Sequence, residues 1–368
     1  MSAQNSDGDL CVTLRNLLNS IQCIKDKVRD GESNEDEAEF NLSNFWETLN
    51  QAVKAVSQEA TKVSLAYSRP PLPSPQDGEK ISDSILKSVL AFSTIYYWLP
   101  KSQGVTLRRQ VRDATVDVLE GLTQLLDVII STPLESLSQD QLTSTGTVWS
   151  ACDRFESLPK DNKAALLVVI SGEVGVIKDA IEEIEEALSE AQDPFGDILD
   201  DVIEGAEPRG NQDTYWSEQD RRVIGPCQGL MKAAAACLRK LTSAVRSNAD
   251  VTSAQSLAQL DDLADISKDI SPRVDDLALC LYPPMDYSGV EENVPLCVNR
   301  SNDDCCKCTI ILYLFVLLSP HIVLLFLCFC VFRSSHVCGE AELTWVQFLD
   351  NAVDHNLQKA RDLMHQGT

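Results

Sequence analysis

Basic residues are scarce in this chain, and none of them forms a tract. The 368 residues include 31 Lys and Arg against 56 Asp and Glu, which gives a net charge of −25. The longest basic runs are pairs such as Arg108-Arg109 and Arg221-Arg222. Proteins bind phosphate backbones largely through lysine and arginine, so this charge disfavours a direct nucleic-acid partner.

Histidine and the common catalytic motifs are nearly absent. The four histidines all follow position 320, and the chain contains neither GxxxxGK[ST] nor HExxH. A Ser-His-Asp or Cys-His site would have to be built from that end of the chain. Cys305, Cys306 and Cys308 are crowded and lack a second pair at zinc-finger spacing. We therefore predict no enzymatic activity, no cofactor and no metal site.

The chain also lacks the period-two alternation and hairpin signals of β-strands, and its N-terminus lacks the pattern of a secretory signal. These absences predict an all-α protein of the cytosol or nucleus. The 13 cysteines are odd in number; seven lie between Cys297 and Cys338, and the other six are scattered among helical patterns. Reduced, buried thiols are therefore expected instead of a disulfide framework.

Apolar stripes at helical spacing fill most of the chain. One runs from Phe45 to Tyr67 and another from Leu107 to Ile129, where Thr106 is placed to cap the helix. Residues 193–213 shift to Gly, Pro and Asp, which is typical of a linker. We predict two antiparallel helical bundles, residues 1–192 and 214–368, joined by this acidic linker.

The stretch from Leu257 to Met285 is the most distinctive acidic helix pattern. Apolar residues recur every three or four positions, and Ser271-Pro272 marks either the start of a second helix or a kink. The apolar side is expected to be buried within the second bundle. The opposite side is the predicted partner-binding surface, formed by Asp261, Asp262, Asp265, Asp269, Asp275 and Asp276.

The proline-rich segment 69–78, RPPLPSPQDG, connects two of the predicted helices. Its PLPSP sequence is compatible with a ligand of proline-recognising modules. The composition is equally typical of a stiff connection between helices, and this second interpretation is favoured.

Residues 309–332 form an uncharged apolar run inside the cysteine-rich segment 297–337. Its length suits a transmembrane helix, which would make the protein a single-pass, membrane-anchored helical adaptor. A buried core helix is a second interpretation, although such a helix usually has a polar side. The third, which is favoured, is a stretch foreign to the fold, from an unspliced or alternatively spliced transcript or a mistaken gene model.

Several motifs occur in the order found in the cyclin-D-binding protein family, whose members are also described as adaptor- and cyclin-D-interacting proteins. The motifs are PLPSPQ (71–76), YYWLPKSQGVTLRRQVRDATVDVLEGLTQLLDV (96–128), LPKDNKAALL (158–167), DPFG (193–196), YWSEQD (215–220) and AQLDDLADISKDISPRVDDLALCLYPPM (258–285). Residues 342–364 also resemble the family's final helix. The chain departs from the family pattern at 297–337, where the family has an amphipathic, lysine-bearing helix.

The resemblance implies an all-helical, acidic protein without enzymatic activity. The expected partners are D-type cyclins, helix-loop-helix transcription factors and a signalling adaptor. The implied outcome is negative regulation of cell-cycle progression from the cytoplasm and nucleus. A membrane location is expected only if 309–332 is a genuine segment.

Overall fold

The protein is all-α wherever its structure is described. The computed structural model describes residues 3–31, 40–132, 138–190, 216–293 and 321–365, and no strand occurs among them. The helices are α1 (Ala3–Asp30), α2 (Leu42–Ala66), α3 (Pro75–Trp98), α4 (Val105–Ser131), α5 (Gln139–Ser157), α6 (Asn162–Glu190), α7 (Glu218–Asn248), α8 (Ala254–Lys268), α9 (Ile270–Cys280), α10 (Tyr287–Asn293), α11 (His321–Ser334) and α12 (Glu340–His365). The predicted fold class is confirmed, whereas the antiparallel two-bundle arrangement stays a prediction.

The chain divides into two compact units, Met1–Ala165 and Leu166–Thr368. Each unit has its own hydrophobic core. The predicted 1–192 domain places all of α6 in the first unit. In the structure, the α6 side chains from Leu166 onward pack into the second core. The predicted linker at 193–213 lies outside the described residues.

In the first unit, five helices surround one core. Helix α1 packs against α3 and α4, α2 packs against α3 and α5, and α4 packs against α5. The predicted stripes supply the core, since Phe45, Leu49, Leu107 and Val111 are all buried. Leu72 of the proline-rich connection packs against the same core, which ties this segment to the fold.

The start of α4 depends on a residue far along the chain. The N-cap residue is Gly104, which has no side chain to bond the free backbone amides. The buried Asn162 supplies the missing acceptor, because its Oδ1 accepts the Leu107 N–H at 2.9 Å. The predicted cap at Thr106 is therefore wrong, since Thr106 lies within the helix and Asn162 caps the helix instead.

A buried arginine joins the carboxyl ends of two helices in the same unit. Arg108 is only 4% exposed, and its guanidinium donates to the carbonyl oxygen of Leu99. The same group lies 3.4 Å from the Gly31 carbonyl oxygen, at the end of α1, and 4.6 Å from the Tyr96 ring centre. Helix ends carry negative partial charge, so one cation stabilises the ends of both α1 and α3.

In the second unit, α7 packs closely against α12 and also contacts α9. Small side chains are buried along α7, among them Ala233, Ala234 and Cys237, so a neighbouring helix can approach its backbone closely. A Cβ at Gly229 would lie 2.3 Å from Oδ1 of Asn356, which shows how closely α7 and α12 approach. This unit is assembled mainly by the fit of small apolar groups.

The acidic stretch forms two helices, as one of its two interpretations predicted. Helix α8 ends at Lys268 and α9 begins at Ile270, so Pro272 falls in the first turn of the second helix, where proline is tolerated. The predicted apolar side is buried in the second core through Leu260, Leu263 and Val274. Its apolar residues are thus used within the chain and do not form a free docking helix.

The apolar run 309–332 is only partly described. Residues 309–320 lie outside the described residues, whereas 321–332 belong to α11. Cys328, Phe329 and Phe332 of α11 are buried in the second core. Among the helices that the structure describes, none is long and apolar enough to cross a membrane.

Candidate partner-binding surfaces

The six predicted aspartates lie along the polar sides of α8 and α9 and at the junction between the two helices. Asp262, Asp265, Asp269 and Asp276 are exposed. Asp261 and Asp275 are half-buried at the margin of the surface. The structure thus brings the predicted residues onto two consecutive helices of one unit, and most of them face solvent.

Two basic residues lie among the six aspartates and form ion pairs with them. Lys268 Nζ lies 4.0 Å from Asp265 Oδ1, and Arg273 Nη1 lies 3.8 Å from Asp276 Oδ2. Both pairs are solvent-exposed and long, and exposed ion pairs of this kind contribute little free energy. With six aspartates against these two cations, α8 and α9 carry an excess of acidic residues.

Two carboxyls on this face titrate above their ordinary range. Burial raises the pKa of Asp262, and the neighbouring Asp261 and Asp265 raise it further. Burial likewise raises the pKa of Asp275, with additional repulsion from Asp276 and from Glu183. Because like charges disfavour one another's ionised form, a nearby positive charge would relieve this repulsion.

Helix α6 adds acidic groups that the sequence did not associate with this face. Glu183 interacts with Asp275, while the Glu173 carboxylate accepts a hydrogen bond from the Ser271 hydroxyl in α9. Burial raises the pKa of Glu173, and the Ser271 hydrogen bond and Lys268 oppose this rise. We define the acidic surface as the six aspartates together with Glu173 and Glu183.

An exposed leucine lies beside the aspartates of α9. The apolar stripe predicted from the sequence does not include it. The side chain of Leu279 is 70% exposed, on the same helix as Asp275 and Asp276. Its position is out of phase with the buried Val274, Leu277 and Leu281, which is a signal that the sequence does contain. Apolar residues within polar surroundings are common where proteins meet.

A concave surface lies between α2 and α5 in the first unit. Its volume is about 260 Å³, and its lining includes Val53, Lys54, Ser57, Cys152 and Phe155. Burial raises the pKa of the Cys152 thiol to about 12, with a further rise from Asp153, so the thiol stays protonated near neutral pH. A protonated, buried thiol is a poor nucleophile, so Cys152 is unsuited to nucleophilic catalysis.

An exposed tryptophan lies on α5, the helix that also lines the concavity. Trp149 is 44% exposed, and its Nε1 donates to Thr61 Oγ1 at 2.9 Å. Further along the two helices, the buried Gln141 Nε2 donates to the Ser64 carbonyl at 2.7 Å. Polar contacts thus hold α2 and α5 together, while Trp149 faces partly outward.

Two buried thiols of the second unit, Cys227 and Cys237, also stay protonated near neutral pH. Burial raises the pKa of Cys227 to about 12. A hydrogen bond to Cys328 and burial raise the pKa of Cys237. Across the described parts of the chain, no group of three or more His, Cys, Asp or Glu residues could hold a metal ion.

Comparison with known proteins identifies two matching family models. Residues 48–190 match the model described as "Grap2 and cyclin-D-interacting, N-terminal". Residues 195–299 match the corresponding C-terminal model. The second match ends close to the start of the apolar, cysteine-rich segment 297–337.

Curated relatives align with the chain over nearly its whole length. A protein from Danio rerio named Cyclin-D1-binding protein 1 homolog is 57% identical over 364 residues, covering 99% of each chain. A homolog of the same name from Xenopus laevis is 49% identical and covers 95% of this chain and 98% of its own. Cyclin-D1-binding protein 1 from Homo sapiens is 38% identical over 95% of this chain and 92% of its own. The chain therefore belongs to the family of Grap2- and cyclin-D-interacting proteins.

Proposed function

We propose that this protein binds a D-type cyclin and acts by binding, without catalysing a reaction. The observation that carries the proposal is the near-full-length similarity to proteins named for binding cyclin D1, at identities of 38% to 57%. The family description likewise names interactions and no reaction. An all-helical protein with exposed charged faces is suited to such a role.

The acidic surface of the second unit is the contact region that we propose for the cyclin. Burial, and to a smaller extent the neighbouring carboxylates, raises the pKa values of Asp262 and Asp275, so the ionised aspartates of this surface repel one another. A partner with lysine or arginine opposite them would gain attraction and remove this repulsion. The exposed Leu279 supplies an apolar contact beside the charged side chains of the acidic surface.

We extend the proposal to the other partners that the family resemblance implies. These are helix-loop-helix transcription factors and a signalling adaptor, bound in the cytoplasm and nucleus. Sequestering a D-type cyclin in this way would lower cyclin-dependent kinase action and slow cell-cycle progression. Because acidic surfaces repel phosphate backbones, we expect the protein to act on transcription factors without touching DNA itself.

Calorimetric titration of the full chain with a purified D-type cyclin tests the proposal. We expect binding that weakens as salt rises, since exposed charges are screened. The triple variant Asp262→Asn, Asp265→Asn and Asp276→Asn should lower the affinity by about tenfold, as each exposed charge contributes a few tenths of a kcal/mol or more.

The matched control neutralises three exposed acids in the first unit, Glu79→Gln, Asp83→Asn and Asp127→Asn. It changes the net charge by the same amount and should leave the affinity nearly unaltered. Equal losses in the two triple variants would show that only overall charge matters and would reject the proposed surface. Absence of binding by the folded wild-type chain would reject cyclin binding itself.

A further inference from the structure

Four dipeptides in the chain place a serine or threonine before proline: Ser74-Pro75, Thr132-Pro133, Ser271-Pro272 and Ser319-Pro320. Proline-directed protein kinases act on this dipeptide. Proline has no backbone N–H, so an apolar pocket of the kinase can receive the ring without burying an unpaired donor. Three of these serine and threonine residues lie in described parts of the chain and differ greatly in accessibility.

Ser74 meets the structural requirements of a kinase substrate. It is exposed, as are Pro75, Gln76 and Asp77 after it. Its backbone is extended, with φ −63° and ψ 157°, which is the conformation favoured before proline. An extended backbone is also what a kinase cleft accepts most readily, because the acceptor must reach the transferred phosphate in line. The hydroxyl donates to Asp77 Oδ2 at 2.7 Å, an exposed and weak interaction.

The same dipeptide is inaccessible at Ser271. This serine is 5% exposed and belongs to the first turn of α9, so its backbone is helical. Its hydroxyl already donates to the carboxylate of Glu173. A phosphate at this position would be buried beside a negative charge, which is strongly unfavourable.

Thr132 is also poorly placed for modification. It is half-buried at the carboxyl end of α4, and its Oγ1 donates to the Val128 carbonyl oxygen at 2.8 Å. Phosphate there would meet the negative end of the helix dipole. At Ser74, by contrast, a phosphate would lie at the positive end of α3, with the Gln76 and Asp77 amides nearby.

We propose that Ser74 is a phosphorylation site for a proline-directed protein kinase. In the reaction, Ser74 Oγ attacks the γ-phosphorus of ATP, and the bond from that phosphorus to the β–γ bridging oxygen breaks. ADP leaves, and the hydroxyl proton passes to the catalytic aspartate of the kinase. The product carries a phosphoserine where the chain enters α3.

Modification changes the local ion pair. Lys80 Nζ lies 2.9 Å from Asp77 Oδ1, and together with the Ser74 hydroxyl it holds the pKa of Asp77 below its ordinary value. A phosphorylated Ser74 can no longer donate to Asp77, and it becomes a second anion that competes for Lys80. The modification thus makes this exposed corner of the first unit more negative.

The test incubates the full folded chain with Mg-ATP and a purified mitogen-activated, proline-directed kinase that contains no cyclin. Mass spectrometry then measures the phosphate at each serine and threonine. We expect Ser74 to carry at least ten times the phosphate of Ser271 or Thr132. The use of a kinase without cyclin makes the outcome independent of the proposed cyclin binding.

Ser74 also caps α3, because its Oγ accepts the Asp77 N–H at 3.2 Å, and two variants separate this cap from the phosphate acceptor. Ser74→Asn keeps a capping side chain and removes the acceptor hydroxyl, so phosphate at this site should be lost. Ser74→Thr keeps both functions and should retain phosphorylation. A peptide spanning residues 68–80 reports whether the kinase recognises the sequence outside the fold.

Three outcomes would overturn the proposal. The first is an unmodified Ser74 in the folded chain while the peptide is phosphorylated. The second is the absence of phosphate from both chain and peptide when the kinase is active on a standard substrate. The third is equal phosphate at Ser271 and Ser74, since accessibility would then have no effect.

Discussion

The two units bury different kinds of side chain. The first unit buries long polar groups, among them Lys25, Arg108, Gln141 and Asn162. In the described part of the second unit, the buried polar groups are mainly serine hydroxyls, with Asp350 as a buried charge. The second core instead contains many alanines and the buried thiols of Cys227, Cys237 and Cys328.

This difference shows two ways of specifying how helices pack. A buried polar group must find a particular partner, so each such contact favours one arrangement of the helices. Arg108 and Asn162 act in this way, because each bonds backbone groups of other segments. Small side chains specify the arrangement by shape, since only a close fit gives enough dispersion contacts. The stability of the first unit should therefore fall when a single polar contact is lost. The stability of the second unit should change only weakly when its charged surface is altered.

The largest expected effect is that of Gly104→Ala. Gly104 has φ +108°, and an added Cβ would lie 2.0 Å from Cγ of Asn162. Strained backbone and displacement of the α4 cap should together lower the stability of the first unit by roughly 3 kcal/mol or more. Urea unfolding measures this loss of stability, and hydrogen exchange in the native protein shows whether α4 is affected.

Gly146→Ala is the matched control for the same change of residue. Gly146 lies within α5, is half-buried, and has no atom within 4 Å of an added Cβ. Alanine there should stabilise the helix by about 0.5–1 kcal/mol. If both variants lose stability equally, the contact between Gly104 and Asn162 does not control the start of α4.

Arg108→Met should produce the next largest effect. The variant keeps the apolar volume of the side chain but leaves the carbonyl oxygens of Leu99 and Gly31 without their charged donor. We expect a loss of about 2–3 kcal/mol, the cost of leaving buried acceptors unpaired. If this explanation holds, the backbone amides at the ends of α1 and α3 should be the first to exchange faster. Hydrogen exchange by mass spectrometry detects this change.

Arg15→Met serves as the comparison, because Arg15 is exposed on α1. Its stability should stay within about 0.5 kcal/mol of the wild type. A similar small change in Arg108→Met would mean that the buried guanidinium does not stabilise the helix ends.

The smallest expected effect comes from Asp275→Asn in the second unit, and it should depend on pH. Burial and the neighbouring Asp276 and Glu183 raise the pKa of Asp275, so the folded state takes up its proton at a higher pH than the unfolded chain. Stability contributed by this group therefore falls as the pH rises from the ordinary carboxyl range through the raised value. At pH 7 the asparagine variant should be more stable by about 0.5 kcal/mol or less, because Asp275 is only half-buried and solvent screens its charge.

This gain should vanish at a pH below the ordinary carboxyl range, where aspartate is protonated in both states. Thermal unfolding from pH 3 to pH 8 follows the difference between the variant and the wild type. A gain that grows as the pH falls would have the opposite sign and would contradict the repulsion inferred on the acidic surface.

The sequence predicted the helices better than it predicted their contacts. Apolar stripes depend on local spacing, and the Leu107, Val111 and Val118 positions of α4 are all fully buried, as the stripe required. Arg108 lies between two stripe residues and was interpreted only as part of a basic pair, because burial of a cation depends on carbonyls from distant segments. The cap of α4 was assigned to Thr106 for the same reason, since no local pattern indicates a contact with Asn162.

The candidate site was predicted in part. The alternation of aspartates with apolar residues correctly predicted that one side of α8 and α9 is buried in the second core. The contribution of Glu173 and Glu183 depends on how α6 packs, which spacing along α8 and α9 does not reveal. The motifs that carried the family resemblance often have structural roles: in YWSEQD, Trp216 Nε1 donates to the Leu281 carbonyl oxygen, and Ser217 and Asp220 form a capping box.

The contact between Asn162 and α4 has a consequence for synthesis on the ribosome. Residues 1–157 contain all five helices of the first unit, yet α4 receives its cap only when Asn162 has left the exit tunnel. Lys160 and Ala165 add to this requirement, because Trp46 Nε1 donates to the Lys160 carbonyl and Gln110 Nε2 to the Ala165 carbonyl. The nascent first unit must therefore wait for the first turn of α6, and any fragment meant to fold alone has to extend through that turn.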